Sequence, residues 1–203
     1  MQTLQSIKVL VNDFLNKIND SKYIQDVLNN HPVAFTKTVW SKDMAYSLEP
    51  LGLEQVGFKG SKYLSKKPTV IKYLYEYKLI DDMIREVLVH DEHGQHTGTD
   101  YLWRDGDSVF ELTLDLKHKA YSLTEVVYMN NRPVSALRVD KNKGFWYHEY
   151  VYVDNRIKQI FTRQYNSDDG KHVGVSYVDY IDNVVTNIYY HYLGVKYNTY
   201  TYK

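Results

Sequence analysis

The stretch "YHEYVYVDNRIKQIFTRQY", Tyr147–Tyr165, decides how this chain is read. A polar pair, Asp154-Asn155, stands between two runs rich in tyrosine, valine and isoleucine. β-Branched and aromatic residues suit a pleated surface, and Asn/Asp pairs supply the left-handed backbone of a two-residue hairpin turn. The stretch therefore predicts strand, tight turn, strand.

Working outward, the same form returns in "YKLIDDMIREV", "YLWRDGDSVFEL", "VYMNNRPVSAL" and "VDYIDNVVTNI". The first turn residues are Asp81, Asp105, Asn130, Asp154 and Asp182, at intervals of 105−81=24, 130−105=25, 154−130=24 and 182−154=28. Longer polar turns, "DEHG", "DLKHK", "DKNKG" and "NSDDG", fall between them. Tandem hairpins joined by short turns lay sequential strands side by side in an antiparallel meander. Strands are expected over 70–79, 83–90, 96–103, 108–115, 122–129, 133–139, 146–153, 156–165, 173–181 and 184–192, with a last one at 196–202. Ten or eleven strands approach the limit of an open sheet, so the sheet should be strongly twisted and curved, with a closed barrel as the alternative.

Ahead of the hairpins, Leu4, Ile7, Leu10, Val11, Phe14, Leu15 and Ile18 recur at helical spacing, with Thr3 placed to cap. "NDSKYIQDVLNNHP" continues or restarts that helix until Pro32. "VAFTKTVW" reads as a short strand, and a short helix is expected near Lys42–Leu48, before a loop punctuated by Gly52, Gly57 and Gly60. The fold class is thus α+β: an N-terminal helix packed on a large, curved antiparallel β-meander of about five tandem hairpins. Residues 1–69 form a helical and irregular region, and 70–203 the hairpin sheet.

The rhythm of "YVYVDNRIKQI", with poorer copies in "YEYKLIDDMI" and "YVDYIDNVVTNI", resembles that of bacterial tandem hairpin-repeat proteins of the MORN-variant and YD type. The resemblance spans residues 70–192; only Gly106 supplies the turn glycine usual in those repeats. It implies a bacterial protein, since some proteins with such repeats are antitoxin or immunity components and others are pieces of large surface or toxin proteins, and it brings no catalytic residues with it.

Composition narrows the function. Lys+Arg 25 against Asp+Glu 25 gives a formal net charge of +0, which offers no general attraction for nucleic acid. No run is long and apolar enough to span a bilayer. The absence of cysteine removes disulfides, thiolate metal sites and a cysteine nucleophile. The first twenty residues meet acidic side chains early and read as a cytoplasmic N-terminus, not a signal peptide.

Motifs for chemistry are sparse. "HDEHGQH" offers His90, His93 and His96 as weak metal candidates, but it lacks helical H-E-x-x-H spacing and reads first as a solvated turn. Asp168, Asp169 and Gly170 in "NSDDG" lack the donor spacing of a calcium loop. Glu76, Glu86, Glu111, Glu125 and Glu149 are candidates to line one sheet face, where burial would raise a carboxyl pKa. No metal site, cofactor or catalytic residue is expected.

Tyr 21, against Phe 6 and Trp 3, is the unusual number. Tyrosines fall on both parities of the later strands, so one helix cannot cover the sheet. Trp146, Tyr150, Tyr152, Tyr190 and Tyr192, extended by Trp103, are expected to form a binding surface for a protein partner. The favoured reading is a non-enzymatic interaction module, with homo-oligomerisation left open. The alternatives are a small-molecule-binding barrel and a hydrolase with Glu/His residues in a sheet-lined pocket.

Overall fold

A computed structural model describes residues 2–166 and 170–202. Thr3 caps α1 (Leu4–Asn19), its Oγ1 accepting from Ser6 N at 3.2 Å. Ile7, Val11, Phe14 and Ile18 form the buried stripe of that helix. Asp20 then leaves helical backbone and accepts from Lys22 N at 2.8 Å, which caps α2 (Ser21–Asn30). The helix therefore restarts as a second one.

β1 (Lys37–Ser41) follows, so "KTVWS" is a strand of the main sheet. The helix expected near Lys42–Leu48 is not formed. Ala45, Tyr46 and Leu48 pack onto the sheet from an irregular run, Ala45 N donating to Tyr77 Oη at 2.9 Å. Pro50 disfavours helix at the residue before it. The one turn of helix lies later, as α3 (Gly52–Gln55).

The remaining strands are β2 (Tyr75–Ile80), β3 (Met83–His90), β4 (His96–Asp105), β5 (Ser108–Asp115), β6 (Ala120–Met129), β7 (Arg132–Asp140), β8 (Phe145–Val153), β9 (Arg156–Asn166), β10 (Gly170–Ile181), β11 (Val184–Tyr192) and β12 (Val195–Thr201). They pair antiparallel in simple chain order, β1 to β12. The meander is as expected, but it has twelve strands where the hairpin count gave ten or eleven: β1 and β12 flank the five hairpins. The order runs from edge to edge without closing, so the barrel alternative is set aside.

Turn chemistry fixes the register at both ends of the sheet. At Asp81-Asp82, Asn130-Asn131, Asp154-Asn155 and Asp182-Asn183 both central residues have positive φ, the mark of a type I′ turn. Asp105 is itself the last residue of β4; Gly106, at φ +56°, and Asp107 form that turn. A sixth hairpin turn uses Leu193 and Gly194. At the opposite end, Asp91, Asp115 and Asp140 open matching turns. In each, one carboxylate oxygen accepts backbone N–H groups two and four residues on, at 2.7–3.1 Å.

Neighbouring hairpins also interlock. Arg132 donates to Asn155 and Arg156 to Asn183, each reaching the next tight turn. The same guanidinium groups lie 5.9 Å and 5.7 Å from the Tyr152 and Tyr180 ring centres.

The sheet is covered on both faces. α1 and α2 pack on one, against Leu112, Leu114, Leu123, Leu137, Val139 and Tyr147. On the other lies the segment 42–64, a strap that leaves β1, crosses the sheet and returns to pair Leu64 with Trp40. At its far point α3 contacts β12, and a Cβ on Gly57 would meet Thr199 O at 2.9 Å. Twelve strands laid flat would separate the edges by about 53 Å. The 57−41=16 steps from Ser41 to Gly57 reach at most about 55 Å fully extended, and this stretch contains helix α3. The sheet is therefore curled around the strap.

Candidate functional sites: a polar cleft and an uncovered sheet end

Register decides which side chains share the strap face. Leu102, Glu111, Thr124, Arg138, Trp146 and Gln164 form one row across β4 to β9. Ala136, His148 and Thr162 form the next, and Asp100 sits in the adjoining row opposite Thr113. The inner strands thus bring acids, a guanidinium and an imidazole to the underside of the strap. Glu76, Glu86, Glu125 and Glu149 have the opposite parity. Of the five glutamates grouped from sequence, only Glu111 lies on this face.

Two cavities open between strap and sheet, both lined by Met44, Ser47 and Arg138. The first, about 260 Å³, is floored by Asp100, Glu111 and Thr113 and walled by tyrosines that include Tyr46 and Tyr77. Thr113 Oγ1 donates to Asp100 at 2.8 Å. Burial, reinforced by the charge of Asp100, pushes the Glu111 carboxyl up to about 8 against the pull of Arg138. Burial raises Asp100 too, opposed by Thr113 and Arg138. Glu111 therefore holds a proton that an exposed carboxyl would have lost at neutral pH.

The second cavity, about 370 Å³, is lined by Glu49, Trp146, His148, Thr162 and Gln164 beside Arg138. The Arg138 guanidinium lies 5.8 Å from the Trp146 ring centre. His148 Nδ1 stands 3.8 Å from Glu49 Oε2, beyond hydrogen-bond reach, and its side chain is 8% exposed. Burial holds the imidazole below its ordinary pKa, against the pull of Glu49. His148 Nδ1, Arg138 Nε and Tyr150 Oη are buried with no hydrogen-bond partner among the described residues.

The sequence-predicted anchors are dispersed. Tyr150 belongs to the core under Leu48, Trp146 lines the second cavity, and Tyr152 Oη donates to Pro133 O at 2.8 Å. Trp103 stacks on Phe110 over the helix-covered face, so it does not extend the others. Tyr190 and Tyr192 do stand together, joined by Tyr197. Tyr190 stacks on Tyr197 at 5.5 Å, and Tyr192 meets the same ring at 6.5 Å. Tyr192, Leu193 and Val195 around them are exposed, Leu193 by 86%.

His90 and His96 face each other with ring centres 5.9 Å apart, but each binds nearby backbone carbonyl oxygen. His93 is on the exposed turn with Glu92. Among the described residues no three His, Cys, Asp or Glu side chains are arranged to hold a metal. Asp168 and Asp169 lie outside the described residues, and Gly170 begins β10. Among the described residues no helix is long and apolar enough to cross a membrane.

Sequence reasoning missed Asp100, Arg138, Glu49 and Ser47. The even spacing of Arg138, Ala136 and Val134 carried part of the signal for Arg138, while nothing in 42–64 announced a strap. Comparison with protein-family models, curated proteins and solved structures finds no match to this chain.

Proposed function

We propose that the chain is a stoichiometric, non-enzymatic binding protein that engages a protein partner through the β11–β12 end of its sheet. One observation carries this reading. Leu193 occupies a tight-turn position at φ +50°, where the other two-residue turns of this sheet use Asp, Asn or Gly, and its side chain is 86% exposed. A leucine held left-handed costs on the order of 1–2 kcal/mol, and an exposed apolar tip gains nothing in return from the fold. Local choices that oppose folding concentrate where function demands them.

Tyr190, Tyr192 and Tyr197 supply aromatic surface beside that tip, and β12 ends the strand order, no strand among the described residues pairing with its outer edge. Both suit recognition by ring contacts and strand addition. The hairpin rhythm makes bacterial immunity and antitoxin components the class to try first, acting in the cytoplasm.

The test begins with a partner co-purified from the source cell and then purified alone. Leu193→Asn should raise stability by about 1 kcal/mol while weakening the complex, and Tyr190→Ser/Tyr192→Ser should weaken it about tenfold or more. Unchanged affinity in both variants would overturn the assignment.

A further inference from the structure

We propose that the cleft beside Arg138, under the strap, is a carbohydrate-binding site that takes one sugar ring against Trp146. The second cavity holds a buried set of groups that the protein leaves unfinished. Arg138 Nε is a donor without an acceptor, and His148 Nδ1 lacks a partner in a side chain only 8% exposed. Glu49 Oε2, 3.8 Å from that nitrogen, is an acceptor just out of its reach. Thr162 and Gln164 add groups that both donate and accept. Buried polar atoms of native proteins are satisfied as a rule, so two orphans beside one cavity point to what fills it.

Charge selects among fillers. An anion attracted by Arg138 meets the Glu49 carboxyl in the same cavity. A simple cation meets the guanidinium. A neutral ligand rich in hydroxyl groups escapes both penalties, since each hydroxyl donates to a carboxylate and accepts from Arg138. Trp146 offers an apolar ring for the C–H face of a sugar, and the volume of about 370 Å³ falls within the range of small-ligand sites. This site lies on the strap side of the inner strands and is independent of the β11–β12 surface.

The probe is a panel of glucose, galactose, mannose and N-acetylglucosamine, titrated against the full chain. The readouts are tryptophan fluorescence and saturation-transfer NMR. At least one sugar should give a saturable change in both. Trp146→Phe should remove the fluorescence change, and Thr162→Val, which keeps the strand shape, should weaken binding about tenfold, the scale of one lost hydrogen bond. Circular dichroism confirms that each variant is folded; should Trp146→Phe misfold, Thr162→Val alone decides. No saturable signal from any sugar means that water alone fills the cleft and overturns the proposal. Binding that Thr162→Val leaves intact also overturns it.

Discussion

Glu111 concentrates, in one side chain, the tension between the sheet's inner face and the charges it carries. Its carboxyl is raised to about 8 from an ordinary 4.5, mainly by burial. The folded chain thus binds this proton more tightly than the unfolded chain does. The resulting stabilisation is complete below the ordinary glutamate range and is lost as pH rises through about 8. Glu111→Gln keeps the shape and removes the titration. Urea midpoints taken between about pH 5 and 8 should fall less steeply in this variant than in the parent. Sequence parity alone did not isolate Glu111, because β-bulges at positions such as Lys78/Leu79, Val127/Tyr128 and Val151/Tyr152 shift register along the meander. A period of two holds within a strand and cannot be carried across such bulges. The same limit hid the divergence of Trp103 from Trp146.

Among the elements, the turns were the most legible, since their chemistry is local. Asn/Asp pairs marked the tight turns, and "DEHG", "DLKHK" and "DKNKG" marked the opposite ends through one repeated carboxylate device. Asp115 accepts from Lys117 N and Lys119 N at 2.8 and 2.9 Å, and Asp115→Ala should cost about 1 kcal/mol by chemical denaturation, with Asp115→Asn costing less. The first helix was legible for the same reason: its stripe is periodic. Phe14, 2% exposed between the helices and the sheet, should cost about 3–5 kcal/mol when truncated to alanine. The strap was not legible. Its apolar residues have neither helical nor strand period, because they answer to a curved surface built from strands far along the chain.

At the scale of the whole molecule, coverage predicts a gradient of local stability. Leu123, Val126, Ala136 and Val139 of β6 and β7 are buried from both sides, whereas most of β12 is exposed and no strand among the described residues pairs with its outer edge. Amide hydrogen exchange should be slowest in β6 and β7 and fastest in β12; equal protection across the sheet would contradict this gradient. A curved sheet was expected from the strand number, whereas its staying open and the strap that crosses it were not.

The way the N-terminus docks has a consequence for how the chain matures. Gln2 N donates to Glu149 at 2.6 Å, and Arg163 donates to Gln2 O at 2.5 Å, so the first residues are tied to β8 and β9. On the ribosome α1 emerges before any of the strands it covers, and at synthesis rates of about 5–20 residues per second it waits on the order of ten seconds for them. Each hairpin closes locally as it appears, since every strand pairs with its sequence neighbour. The apolar stripe of α1 meanwhile stays unburied, which makes this helix a segment for a nascent-chain chaperone to hold until the sheet forms.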